Sequence, residues 1–320
     1  MLDYHIDNYL WLPVDTSIGK RIIGKDETSC RYCKRSSREV ELKKESHTIP
    51  IAIGNVNLTS ADECEECNHY FGETIENCLG NFTLLERAIF GIKGRKGFPT
   101  YQSKDKKSKI FVEDNVTNIQ CDIDSNFAIL NHAEKTLTFR ADTPSFSFLN
   151  VFKSFVKIAI AISSKDDLPD FHETILWLLG KIPHSITPWQ ATKVFRWFTP
   201  DHSLDHPRAI LLKKKHDSAL IPNFILVVEY SYYMVVIYIP FVRSDKQLEG
   251  KEINIVPFPH RMLGKKNSEV FGTITDMSSD DKNSHATEYT VQIVGDITTG
   301  STPPPPSSLP NPPDGGDGAD

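Results

Sequence analysis

Four of the chain's six cysteines stand in two Cys-x-x-Cys pairs, Cys30 with Cys33 and Cys64 with Cys67, separated by thirty residues. Each pair can turn two thiolates to one side, so together they offer four ligands to one tetrahedral zinc ion. This spacing favours a metal over disulfides. A simple zinc ribbon separates its pairs by only about fifteen to twenty residues. The longer interval predicts that a further segment, beyond a simple ribbon turn, is inserted between the two pairs.

Between the pairs stand Ser46-His47-Thr48-Ile49-Pro50 and then Gly54-Asn55, and Cys67 is followed by Asn68-x-x-Phe71-Gly72. This order and spacing resemble the HNH endonucleases, and more narrowly their zinc-containing branch with CxxC, His-x-Ile-Pro and CxxCN-x-x-FG. The resemblance covers about residues 28–100. It implies a treble-clef-like ββα-metal fold, in which a two-stranded hairpin carries the catalytic His and the next helix begins with a metal ligand.

The resemblance also implies roles for individual residues. His47 falls on the family's general base, and Asn68 falls on the last position of its motif. The middle Asn is ambiguous, because Asn55 and Asn57 both lie in the loop. We prefer Asn57, which directly precedes Leu58 in an Asn-Leu segment like that of the family. Its predicted role is to fix the ring or the backbone of His47.

The residue before the predicted base departs from the family pattern. Many relatives have Asp, His or Glu at this position, where it helps to bind the catalytic metal, but this chain has Ser46. A hydroxyl is a weak neutral ligand. A catalytic Mg²⁺ or Mn²⁺ would therefore be held by Asn68 with help from other side chains, for which the candidates are Glu45, His69 and Glu73. His69 and Glu73 are spaced i, i+4 and could reach one ion from a single helix face.

Charge is distributed unevenly along the chain. The formal net charge of -6 argues against a uniformly basic nucleic-acid binder, but residues 1–110 hold 17 basic and 16 acidic residues, whereas residues 111–320 hold 19 and 26. A basic segment follows the HNH-like region and could track a nucleic-acid backbone. DNA is the predicted partner, and no sequence specificity is expected. The candidate contacts are Lys93, Arg95, Lys96, Lys104, Lys106 and Lys107.

Hydrophobic periodicity predicts an α+β chain whose second part has a mostly antiparallel sheet. Apolar residues at helical spacing predict a helix over 67–79, with Gly80-Asn81 as its stop, and extended structure is expected over 48–53. The apolar run 225–242 contains Glu229, Ser231 and Pro240 and is rich in β-branched residues. It predicts a buried strand or hairpin and not a membrane span.

We divide the chain into an N-terminal arm (1–27), an HNH domain with a structural zinc (28–100), an α+β regulatory or recognition domain (101–300) and a disordered tail (301–320). Residues 93–109 are the predicted linker. The arm is expected to lie against the HNH domain. Seven prolines and three acidic residues in the tail leave too little apolar surface to fold. The first residues show no secretory leader, so a cytoplasmic location is expected.

Two functions compete. The first is a metal-dependent DNA endonuclease, with a zinc for structure, that serves in restriction or antiphage defence and is controlled by its second domain. A homodimer or a regulatory protein partner would fit this function, and residues 1–110 alone should then be more toxic than the full chain. The alternative is a zinc-stabilised module that binds nucleic acid or protein and has lost catalysis because Ser46 replaces an acidic residue.

Overall fold

The computed structural model describes residues 1–42, 45–122, 126–184, 192–216, 220–248, 251, 256–260, 265 and 269–292. The tail predicted to be disordered, 301–320, lies outside these residues. Within them the α-helices are α1 (Leu2–Asn8), α2 (Glu65–Phe71), α3 (Asn77–Phe82), α4 (Leu84–Phe90), α5 (Phe148–Ile162) and α6 (His172–Leu178). The strands are β1 (Tyr9–Asp15), β2 (Arg21–Ile23), β3 (Ser46–His47), β4 (Leu58–Ser60), β5 (Tyr101–Gln102), β6 (Lys109–Glu113), β7 (Val116–Gln120), β8 (Ala128–Asn131), β9 (Thr136–Asp142), β10 (Lys193–Phe198), β11 (Leu204–Lys214), β12 (Phe224–Ser231), β13 (Tyr233–Tyr238), β14 (Phe271–Asp276) and β15 (Ala286–Gln292).

The largest sheet has six strands in the order β1-β11-β12-β13-β10-β14, with every neighbouring pair antiparallel. Its centre is the apolar run 225–242, which forms the buried hairpin β12-β13, as predicted. No helix in the described part of the chain is long and apolar enough to span a membrane. Three smaller sheets are ordered β2-β4-β3, β5-β6-β7 and β15-β9-β8. The predicted α+β class with mostly antiparallel sheets is confirmed.

The N-terminal arm packs differently from the prediction. Its first part joins the six-stranded sheet, where β1 pairs with β11 from Tyr9 opposite Lys214 to Asp15 opposite Arg208. Its later part contacts the zinc-binding region, where β2 pairs parallel with β4 and the carbonyl of Thr16 accepts from the side chain of Asn57. The prediction that the arm lies against the first domain was wrong for its first part, because no local sequence pattern indicates a strand partner this far along the chain.

The helix predicted over 67–79 is longer than expected. It starts at Glu65, passes through the π-helical turn Gly72–Glu76 and continues without interruption to Phe82. Gly80 and Asn81 therefore do not end it, because both are helical residues of α3. We refer to residues 65–82 as the site helix.

The long helix α5 is the centre of the hydrophobic core. Most of its side chains are buried, as expected for a helix that is surrounded by protein. One continuous apolar cluster contains Phe152 and Phe155 of α5, Phe71 and Ile75 of the site helix, and the inner side chains of β12 and β13. The hydroxyl of Ser154 on α5 donates to the carbonyl of Ile75 at 2.7 Å. The boundary predicted at 93–109 stays a prediction, but the core does not divide there.

Candidate active site and zinc centre

The four paired cysteines converge on one point. Their Sγ atoms all lie within 4.8 Å of one another, and those of Cys33 and Cys64 are 3.7 Å apart. Tetrahedral zinc with Zn–S bonds of about 2.3 Å separates its sulfurs by about 3.8 Å. Backbone N–H groups of Cys64 and Cys67 donate at 3.4 Å to the sulfurs of Cys30 and Cys64, which favours thiolates. The cluster therefore fits a structural zinc, as predicted.

The four-cysteine cluster lies at the start of the site helix. Cys64 is its N-cap residue, and its sulfur accepts a hydrogen bond from the N–H of Cys67. A metal bound to both residues would hold the first turn of the helix against the loop that carries Cys30 and Cys33. In the described part of the chain, these cysteines are the one group of three or more His, Cys, Asp or Glu side chains with ligand atoms this close together.

Arg31, which lies between two of the zinc ligands in the sequence, connects the zinc centre to α5. Its guanidinium pairs with Asp62 at 2.8 Å and donates to the carbonyls of Ile160 and Ser163 at 3.1 and 3.0 Å. These carbonyls lie at the C-terminal end of α5, where cations are favourable. The space beside Asp62 is tight, since a Cβ at Gly24 would come within 2.5 Å of its carboxyl carbon.

His47 stands in the short strand β3, which pairs with β4 through His47 opposite Thr59. Successive side chains of a strand point to opposite faces. Ser46 accordingly is buried, and its hydroxyl has no hydrogen-bond partner among the described residues, whereas His47 is half-buried. The buried Nδ1 atom of His47 has no partner there either. Position 46 therefore places no metal-binding group beside His47.

The pKa of His47 is lowered from its ordinary value of 6.5. Burial is the largest cause, and the positive charges of Arg95 and Lys157 act in the same direction, while the carboxylates of Glu76 and Glu45 oppose them. His47 is consequently neutral at pH 7, the form that can accept a proton. Glu76 and Lys157 were not among the predicted site residues.

The loop after His47 is held by Asn55. The fully buried side chain of Asn55 donates to the carbonyls of Ile49 and Leu58 at 2.7 and 2.8 Å, and its oxygen accepts from the N–H groups of Asn57 and Leu58. These bonds fold the segment back, and Ile51–Ile53 form a 3-10 turn. The extended structure predicted through residue 53 was therefore wrong. The side chain of Asn57, which we preferred, donates instead to the carbonyl of Thr16 at 2.8 Å.

The site helix presents Asn68, Gly72 and Glu76 at intervals of four residues, on one stripe along its length. A Cβ at Gly72 would meet nothing within 4 Å, so there is open space between the two polar residues. Glu76 is half-buried and is the carboxylate that acts most strongly on the pKa of His47. In the sequence, two steps of four residues from Asn68 lead to Glu76, so helical spacing alone could have identified it.

Two of the predicted metal ligands lie on a different side of the helix. His69 and Glu73 are each 69% exposed and contact one another at 3.3 Å. This is the i, i+4 pair expected from their spacing. Their role as ligands stays a prediction, as does that of exposed Glu45, whose charge acts on the pKa of His47.

The predicted basic strip separates into two groups. Gly94 and Gly97 form a tight hairpin through reciprocal bonds of 2.8 and 3.2 Å, which leaves Arg95 and Lys96 exposed at its tip. Arg95 acts on His47 from there, and Lys93 lies over the ring of Phe98.

The second basic group lies around the β5-β6 turn. Lys104 pairs with Asp142 at 3.1 Å, and Lys107 pairs with Asp122 at 3.4 Å. Lys106 is exposed in the same turn. Acidic residues thus pair with two of these three lysines, Lys104 and Lys107, and the role of the whole strip in binding nucleic acid stays a prediction.

Comparison with known proteins gives one finding for this region. The model of the HNH endonuclease family matches residues 30–83, which include all four cysteines, His47, Asn55, Asn68 and Glu76. No curated protein and no solved structure matches the chain.

Proposed function

We propose that the chain is a metal-dependent endonuclease that hydrolyses DNA phosphodiester bonds, because residues 30–83 match the model of the HNH endonuclease family. The observation that carries this proposal is the half-buried imidazole of His47, neutral at pH 7, whose pKa is affected by the carboxylate of Glu76 on the site helix. These residues combine a proton acceptor with oxygen ligands and open space. The zinc centre fixes the start of the same helix, so it supports the site without taking part in the chemistry.

Each residue has a distinct proposed role. His47 accepts the proton of the attacking water, and Asn55, in place of Asn57, holds the loop that follows His47. Asn68 and Glu76 are the proposed metal ligands, because Mg²⁺ and Mn²⁺ prefer oxygen ligands and keep several waters. The bound cation would stabilise the negative charge that develops on the phosphate and the leaving oxygen.

The DNA backbone is proposed to pass over the 94–97 hairpin, with Arg95 and Lys96 at its tip and Lys93 directly before it. Contacts of this kind do not read bases, so cleavage should be insensitive to sequence and sensitive to salt. A role in restriction or antiphage defence, in the cytoplasm and under the control of the C-terminal part, is proposed from the fusion of a nuclease segment to a large acidic region. Cleavage of both strands would need a homodimer or two successive nicks.

We expect His47→Ala to lower the rate of supercoiled-plasmid nicking by about 100- to 10,000-fold, the usual contribution of a general base. Wild type and variant should be compared with Mg²⁺ and with Mn²⁺, at equal zinc content. The same two proteins, expressed in bacteria challenged with phage, test the defence role. If wild type and variant both bind DNA and neither cuts it with any divalent metal, the inactive binding module is the correct function.

The charge of Arg95 should affect the pH dependence of cleavage, because it lowers the pKa of His47. A general base acts in its neutral form, so activity falls as the pH drops through the pKa of His47, which lies below 6.5. Arg95→Gln removes a charge that lowers this pKa, so the acid limb of kcat/KM should move to higher pH. Lys96→Gln, at the same hairpin tip, should weaken DNA binding similarly but leave the limb in place. Equal displacement of the limb by both variants would contradict the assignment.

A further inference from the structure

Lys157 connects α5 to the candidate active site. Its Nζ atom lies 2.8 Å from Oε1 of Glu76 and 3.3 Å from Oε2 of Glu63, and only 2% of its side chain is exposed. The rings of Phe71 and Tyr32 lie 5.3 and 5.9 Å from the same atom. A buried ammonium is tolerated only when it is paired in this way, so its position is tightly specified.

The two ends of this ion pair belong to different parts of the chain. Glu76 lies inside the segment matched by the HNH family, on the stripe that carries Asn68, whereas Lys157 lies far outside it on α5. Glu76 bonds Lys157 through Oε1, which leaves Oε2 available. A second group that holds one oxygen of a carboxylate fixes the direction of the other, as in the outer shells of metal sites.

We propose that Lys157 is a positioning residue for the nuclease site: it holds Glu76 so that the second carboxylate oxygen stays available to a metal ion. The inference rests on the proposed function and extends it to a residue outside the HNH segment. It also accounts for the departure at position 46. With Ser46 buried, Glu76 supplies the acidic group, and a helix of the C-terminal part keeps that group in place.

A neighbouring lysine provides a matched control. Lys153 lies one turn earlier on α5 and is also buried, with 8% of the residue exposed. Its ammonium lies 4.8 Å from the centre of the Trp177 ring, and it forms no ion pair with a site carboxylate among the described residues. Lys153→Met therefore removes a buried lysine from the same helix without touching Glu76.

The test uses the full-length protein with its zinc content verified. Lys157→Met alone leaves the buried carboxylate of Glu63 and the half-buried carboxylate of Glu76 unpaired. The decisive variant therefore combines Lys157→Met with Glu63→Gln, which removes the buried charge. Mn²⁺ binding is measured without DNA by electron paramagnetic resonance of the free ion. The plasmid nicking rate is measured in parallel as a function of Mn²⁺ concentration.

We expect the double variant to bind Mn²⁺ about 10- to 100-fold more weakly than wild type. High Mn²⁺ should restore most of its nicking rate, which a general loss of structure would not allow. In a Glu76→Gln background, Lys157→Met with Glu63→Gln should cost nothing further, because the residue being positioned is already absent. Lys153→Met should match wild type in both measurements.

The proposal is overturned if the double variant binds Mn²⁺ as tightly as wild type, or if it loses nicking equally at every Mn²⁺ concentration. Failure of the proposed function would look different. A wild type that binds Mn²⁺ but never cuts DNA contradicts the nuclease, and the comparison of Mn²⁺ affinities still decides the role of Lys157. A wild type that binds no Mn²⁺ overturns both.

Discussion

Replacing Cys64 by Ser is expected to release the zinc and to unfold the region that carries His47. Cys64 belongs to the four-cysteine cluster that fits zinc and is also the N-cap of the site helix, so its loss should affect the metal and the helix together. A structural zinc contributes on the order of 10 kcal/mol to folding. The whole free energy of unfolding of a domain is about 5–15 kcal/mol, so most of it would be lost. Cleavage should fall below detection.

Zinc content, measured by elemental analysis, and thermal unfolding, followed by circular dichroism, test this expectation. Cys121→Ser is the matched control, because Cys121 is exposed and lies outside the four-cysteine cluster. Its zinc content should be unchanged and its stability should stay within about 0.5 kcal/mol of wild type. A Cys64→Ser protein that keeps one zinc per chain and unfolds at the wild-type temperature would contradict the assignment of the zinc site.

A fragment of residues 1–110 is expected to lack a stable fold and therefore to be inactive and non-toxic. It lacks α5, whose buried apolar side chains cover Phe71 and Ile75 of the site helix. Each large side chain of this kind stabilises the fold by about 1.5–3 kcal/mol, so the loss is on the order of 10 kcal/mol. The fragment also lacks Lys157 and the carbonyls that bind Arg31. This reverses the expectation that removing the second region would release a more toxic nuclease.

A chain that ends at residue 300 is the appropriate control for the fragment, because it retains every residue that the structure describes. It should unfold cooperatively at the temperature of the full chain and should nick plasmid at the same rate. Hydrogen exchange distinguishes the two proteins directly, since amides of the site helix should be protected in the longer chain alone. A 1–110 fragment that shows cooperative unfolding and cuts DNA would indicate an autonomous domain whose activity the C-terminal region restrains.

Local patterns explain which features could be predicted from the sequence. The four clustered cysteines form two short motifs. In α5, apolar residues such as Leu149, Phe152 and Val156 recur at helical spacing, so neither feature depends on distant parts of the chain. The hairpin β12-β13 was recognisable because fully buried strands form a continuous apolar run. In each case a single segment contained the whole signal.

Features that depend on packing between distant segments were missed. The pairing of β1 with β11, and of Lys157 with Glu76, joins residues that no local pattern relates. The preference for Asn57 over Asn55 did not anticipate that the side chain of Asn55 forms the hydrogen bonds within the loop. The preference rested on the next residue, Leu58, whereas the loop is held by whichever side chain is buried within it, and that is Asn55.

The bonds of Arg31 make zinc occupancy and the placement of α5 parts of one equilibrium. The guanidinium bonds the carbonyls of Ile160 and Ser163 from the loop between Cys30 and Cys33, so we expect a change in the shape of that loop to weaken both bonds. Coupling between two binding sites is reciprocal. A ligand that binds the C-terminal region and displaces α5 would lower the affinity for zinc by some factor, and zinc would lower the affinity for that ligand by the same factor. A measured change in zinc affinity would therefore report a change in the position of α5, which lies far from the four cysteines in the sequence.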